Sequence, residues 1–155
     1  MSSEVESRKV ETFVNVYLKD NGYSADGYED RRFKVSVGPI VFDFPNPGRL
    51  RYHDLHHVVS GYGSGLRGEA QVSAYELRGG CPTILISFLC LGSIAIGAVL
   101  SPRRVLQAWQ KAGGTHTLYS SKIPFRELMQ MDIEELRRSL NVPANGFEQR
   151  KIGEE

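Results

Sequence analysis

The chain carries almost no excess of positive or of negative charge. Its 155 residues carry 19 Lys and Arg against 18 Asp and Glu, a formal net charge of +1. A protein that grips nucleic acid through bulk positive charge needs an excess that is not here. Cysteine is scarce, with two residues. Cys81 and Cys90 form no Cys-x-x-Cys pair, and both stand in or beside an apolar stretch. They read as buried free thiols, with a reducing, intracellular compartment as the default expectation. Met1–Lys9 lacks the apolar run of a secretory signal and carries Glu4 and Glu6, which a mitochondrial presequence avoids. No internal repeat and no low-complexity tract interrupts the chain. What is present is ordinary for a folded domain. With 41% hydrophobic and 24% charged residues, wholesale disorder is excluded. The length suits one domain that buries a core without a disulfide or a structural metal.

The hydrophobic pattern predicts mostly helices. Over Glu6–Lys19, Val10, Phe13, Val14, Tyr17 and Leu18 fall on one helical face, and Asn21-Gly22 supplies a stop. Phe33, Val35 and Val37 alternate with polar residues, and Phe42 and Phe44 do so after Gly38-Pro39, which reads as a short hairpin or two extended arms. Asn46-Pro47 looks like a cap followed by proline at the first position of a helix that ends near Ser60. Gly61, Gly63 and Gly65 make a flexible turn before a second helix over Leu66–Arg78, closed by Gly79-Gly80. Thr83–Leu100 contains no charge and is followed by Arg103 and Arg104. Its length touches the lower bound of a membrane span. Ser87, Gly92, Ser93 and Gly97 moderate its hydrophobicity, so a monotopic or lipid-facing helix is the better expectation, with a fully buried core helix or the wall of a lipid cavity as the competing reading. Helices are also predicted at Pro102–Lys111 and Asp132–Leu140. The sum is a mainly α fold, one compact multi-helix domain over residues 1–143, carrying a helical hairpin and a minor N-terminal β hairpin. Residues 144–155 read as a polar, disordered tail.

The chemistry concentrates in one place. Three of the four histidines are His53, His56 and His57. His53 and His57 are one helical turn apart, and Asp54 is three residues before His57. Two imidazoles at this spacing are the helical geometry of the His-Glu-x-x-His metal enzymes, with a shorter carboxylate in the second position. Glu69 lies in the first turn of the next helix, and a helical hairpin brings it back beside the histidines. Two imidazoles and two carboxylates suit zinc, iron or manganese. The set also contains a two-His-one-carboxylate arrangement, which leaves positions open at iron. The opposing reading is a plain solvated face, because Leu55, Val58, Val59 and Tyr62 mark the other side of the helix.

The pattern His53-Asp54-x-x-His57, then Glu69, resembles the metal motif of the coenzyme Q biosynthesis protein 4 family. Gly61-Tyr62, Gly68-Glu69, Tyr75-Glu76-Leu77, Ser101-Pro102-Arg103-Arg104, Leu118-Tyr119 and Leu136-Arg137-Arg138 are similar to its further words, in bacterial style, over roughly residues 45 to 142. The resemblance implies a mainly helical protein that holds a divalent metal through His53, Asp54, His57 and Glu69. It implies an apolar cavity for a prenylated quinone precursor and a peripheral position on the cytoplasmic side of the inner membrane. It further implies a role in ubiquinone biosynthesis, either in oxidative decarboxylation at ring carbon 1 or as a non-catalytic lipid-binding scaffold for the other enzymes of the pathway. No catalytic residue is assigned, and a homo-oligomer is left open. A metal-dependent phosphohydrolase is disfavoured, because no histidine precedes His53. Gly61-x-Gly63-x-Gly65 has the wrong spacing for a dinucleotide site. His116 reads as a loop histidine without a role. Arg49, Arg51 and Arg67 read as solvated charges that could meet an anionic substrate. Trp109 reads as a core or interface residue.

Overall fold

The computed structural model of the chain describes residues 8–22, 32–37, 39–45 and 49–148. Among them are seven α-helices and one antiparallel hairpin, so the fold is mainly α. Helix α1, Val10–Asp20, buries Val10, Val14, Tyr17 and Leu18, as its spacing requires. Strands β1 (Arg32–Val37) and β2 (Ile40–Pro45) pair from Arg32 opposite Pro45 to Val37 opposite Ile40.

Helix α2, Leu50–Ser60, carries the histidines and is buried continuously from Asp54 to Ser60. A solvated face for His57 is thereby excluded. The expected start at Asn46-Pro47 lies outside the described residues, and Arg49 stands at the cap position of α2. Gly61 ends the helix in the left-handed region, with φ +80°, and its N–H bonds the His57 carbonyl at 2.9 Å. A side chain there would also strike the Glu148 carbonyl oxygen. Arg137 donates from Nε to the Val59 carbonyl at 2.9 Å and from a terminal nitrogen to the Val58 carbonyl at 3.0 Å. Carbonyls that the helix end leaves without intrahelical donors are thus satisfied, and a cation sits at the negative end of the helix dipole.

Helix α3, Leu66–Gly79, returns antiparallel in sense to α2 and buries one continuous run from Ala70 to Glu76. Helix α4, Ile84–Leu100, is not the fully buried core helix of the competing reading. It buries Ile86, Cys90 and Gly97, while Ile84, Phe88 and Val99 are 78%, 67% and 83% exposed. Gly97 lies so close to Ala70 of α3 that a methyl group there would overlap it, so the two helices are in tight contact at this point and α4 turns only a narrow side inward. Most of its large residues are left outside. Among the described residues, no helix is long and apolar enough to cross a membrane.

Helix α5, Pro102–Lys111, starts on proline as expected. A 3-10 turn at Leu118–Ser120 and helix α6, Phe125–Gln130, were not expected from the pattern. Helix α7, Ile133–Ser139, is capped by Asp132, whose carboxylate accepts from the N–H groups of Glu134 and Glu135. Arg8 donates to Asp132 at 2.9 Å and to Glu134 at 3.0 Å, tying the start of α1 to this cap. Slight burial raises the Asp132 pKa, but the two N–H groups and Arg8 outweigh it and hold the carboxyl below its ordinary value. Asp132→Ala should cost about 1 kcal/mol, as loss of such a cap does. Because the folded pKa is depressed, this contribution is present at neutral pH and disappears as pH falls through the folded value. Urea unfolding of wild type and variant should therefore converge in acid.

The expected disordered tail is corrected in part. Phe147 donates its N–H to the Ser60 carbonyl at 2.7 Å and stacks on Tyr62, and Gln71 donates to Glu148 at 2.8 Å. The chain is docked through Glu148, because Phe147 has an aromatic seat on Tyr62 and Tyr75. Residues 149–155 of the expected tail lie outside the described residues.

Candidate metal centre

Helix α2 presents His53 and His57 on one side, and the first turn of α3 brings Glu69 across from them. One ligand atom from each of the three residues lies within 4.8 Å of the others. His57 Nε2 is 3.3 Å from His53 Nε2, and each is 3.2 Å from an oxygen of Glu69. The far side of each ring is anchored. His53 Nδ1–H donates to Glu76 Oε1 at 2.9 Å, and His57 Nδ1–H faces the Tyr62 carbonyl at 3.2 Å. With those protons on Nδ1, both Nε2 lone pairs point at the same place as the Glu69 carboxylate. Four acceptors facing one another need a cation between them, a proton or a metal ion. Histidines oriented by a carboxylate or a carbonyl behind the ring are how proteins prepare imidazole for a metal. Tyr17 of α1 stacks on the His57 ring at 5.3 Å, covering it from the core side.

Asp54 is buried on the same helix, but it is not in the converging group. The structure thus brings together three of the four residues that the sequence nominates.

The residue the sequence reading passed over is Glu76. Its side chain is almost completely buried, and its Oε1 accepts from His53, from His56 Nδ1 at 2.6 Å and from the Tyr119 hydroxyl at 2.9 Å. Its Oε2 accepts from the Cys90 thiol at 3.4 Å. Burial alone would raise the Glu76 pKa, but His53 and His56 hold it well below its ordinary range. Burial likewise works against a charged His53, yet Glu76 and Glu69 raise its pKa well above the usual value. Glu69 is held low by His57 and His53 against the same burial penalty. His56 is the neutral partner. Burial lowers its pKa, and its Nε2 accepts from the Leu118 N–H at 2.9 Å, which fixes the proton on Nδ1. A signal for Glu76 exists in the sequence, because it stands two helical turns after Glu69 and therefore on the same face.

Of the remaining candidates, Arg67 is exposed at the start of α3, and Arg49 and Arg51 have structural partners. Arg49 donates to the Tyr119 carbonyl, Arg51 lies over the Tyr52 and Phe125 rings, and Arg78 lies over half-exposed Trp109. The His116 backbone bonds Leu140 and Tyr75, while its side chain is exposed.

With three ligands on two helices, a metal held here would leave coordination positions for a substrate, the arrangement used by non-haem iron enzymes. Comparison of the chain with protein-family models, with curated proteins and with solved structures finds no match in any of the three.

Proposed function

We propose that the chain is a divalent-metal protein that binds a prenylated hydroxybenzoate-type ring and serves quinone biosynthesis, as the resemblance of its motif implies. The observation that carries the metal half is the pair of anchored histidines whose Nε2 atoms meet the Glu69 carboxylate. His53, His57 and Glu69 would hold the ion, and zinc, iron and manganese all suit that set. A bound ion of this class supplies Lewis acidity toward the ring carboxylate and, if iron, a site for dioxygen. Glu76 keeps the His53 lone pair aimed, and His57 is shielded from solvent.

The lipid half rests on α4 and α5. Ile84, Phe88, Leu91, Ala95 and Val99 recur at helical spacing and are exposed, and Leu106 and Trp109 are exposed on α5. An exposed apolar stripe along a 17-residue helix about 25 Å long is more than scattered surface hydrophobicity. Arg103 and Arg104 stand exposed at its end, where anionic headgroups would meet them. The prenyl tail and the membrane surface are assigned to this face. The reaction is oxidative decarboxylation at ring carbon 1. The carboxyl leaves as carbon dioxide, one oxygen atom of dioxygen enters as the hydroxyl, and the other becomes water with two protons and two electrons from an external thiol or nicotinamide donor.

The test is elemental analysis of chain purified without added metal, then incubation with the prenylated acid, dioxygen and a reductant. About one equivalent of iron or manganese and release of carbon dioxide are expected. Metal and lipid binding without turnover would favour the scaffold role in which the chain presents the precursor to partner enzymes. A folded chain that takes up none of the three metals would overturn the reading.

A further inference from the structure

The turn between α3 and α4 sets the Cys81 thiol beside that of Cys90, which meets the carboxylate that orders the histidines. Helix α3 ends at Gly79, and Gly80, with φ +120°, turns the chain so that Cys81 lies outside either helix. Thr83 caps α4 by accepting from the Ile86 N–H. Cys90, further along α4, points back at this turn. Its Sγ lies 3.8 Å from Cys81 Sγ and donates to Glu76 Oε2 at 3.4 Å. Cys90 is buried, and Cys81 is partly exposed. An accessible thiol backed by a buried one is the arrangement of an attacking and a resolving cysteine. The Cys90 thiol beside Cys81 lowers the Cys81 pKa, and the same contact, with burial and Glu76, raises that of Cys90.

We infer that Cys81 and Cys90 form a thiol–disulfide pair that low-molecular-weight disulfides close, and that Glu76 transmits its state to the histidine cluster. The Cys81 thiolate attacks one sulfur of the small disulfide and expels a thiolate. Cys90, deprotonated, attacks the Cys81 sulfur of the mixed disulfide and expels the second. The protein dithiol loses two electrons, and the small disulfide gains them as two thiols, which take up the two protons. The protein S–S bond of about 2.05 Å requires the two sulfurs to approach, and Cys90 then has no S–H to donate. Glu76 Oε2 loses that donor in a dry site, where a carboxylate moves to find another. Its Oε1 is the anchor of His53, His56 and Tyr119, so a shift of Glu76 loosens the aim of His53.

The effect on metal binding rests on the metal reading proposed above, whereas the effect on the histidine rings does not. The full chain is equilibrated with glutathione disulfide, and its peptides are mapped without reduction. One intramolecular Cys81–Cys90 linkage is expected. Manganese(II), which has little taste for thiolate, is then titrated into reduced and oxidised chain. Oxidation should weaken its binding by about tenfold, as loss of support behind a ligand does. Cys81→Ser should bind manganese like the reduced chain and ignore the oxidant. In metal-free chain, the ring nitrogen resonances of His53 and His56 should shift on oxidation of wild type and stay fixed in Cys81→Ser. Glutathione retained on Cys81 without resolution, or no reaction at all, overturns the pair. A closed disulfide with unmoved histidine resonances overturns the coupling. Resonances that shift on oxidation, in a chain whose reduced form binds no metal, would sink the metal reading alone.

Discussion

Glu69→Ala is expected to abolish specific divalent-metal uptake in a chain that remains folded. Glu69 is the tractable ligand because its side chain is one-third exposed, whereas His57 is fully buried under Tyr17. Metal bound only by the native state stabilises it by about 2.7 kcal/mol at a hundredfold excess over Kd. For a chain of this size that corresponds to a rise in Tm of roughly 5–10 °C. Wild type should show this gap between metal-loaded and metal-free samples, and Glu69→Ala should show none. Asp54→Asn is the informative companion. Asp54 stands outside the group formed by His53, His57 and Glu69, so its replacement should retain most of the gap. An equal loss in both variants would establish Asp54 as the fourth ligand that the resemblance implies.

The second large effect is at Glu76. Glu76→Ala leaves His53, His56 and Tyr119 without the acceptor they share and Cys90 without its own. Removing one side of such a buried charged network costs about 3–5 kcal/mol. That is a large share of the roughly 5–15 kcal/mol that holds a domain folded. Urea unfolding should show it as an earlier midpoint with an unchanged slope. Glu76→Gln separates positioning from stability. The amide still accepts at one oxygen but carries no charge, so the chain should fold while metal affinity falls by about 10–100-fold. A Glu76→Gln chain with wild-type affinity would show that His53 needs no support from behind.

The sequence alone conveyed the hairpin of α2 and α3, because glycines mark its turn and the histidines and Glu69 sit where helical spacing makes them meet. Glu76 lies outside the local spacing of the motif, two turns along α3, where 3.6-residue periodicity returns to the same face. His56 was passed over for a related reason. Its partners, Glu76 and the Leu118 N–H, come from distant segments, and no local pattern records them. Helix α4 shows a different limit. Freedom from charge identifies a helix without saying which side is inside, and here the close contact of Gly97 with Ala70, in line with buried Ile86 and Cys90, marks the inner side. Helix α6 spans six residues, too few to display a period. The return of residues 145–148 depends on Tyr62, Tyr75 and Ser60 forming a seat that exists only in the folded domain.

That return has a consequence for how the protein is made. The histidine-bearing helix is closed at its C-terminal end by Phe147, whose N–H reaches the Ser60 carbonyl. A ribosome that has just added His57 needs roughly 5–20 s more to reach residue 148 at the usual pace of synthesis. Throughout that interval the helix end lacks its cover, and the Arg137 guanidinium that holds the Val58 and Val59 carbonyls arrives only near its close. The nascent histidines therefore wait in an unfinished setting, and the centre reaches its final shape only late in translation. A chain cut before Arg137 should accumulate as a loosely packed species that binds metal poorly, even though every proposed ligand is already present in it.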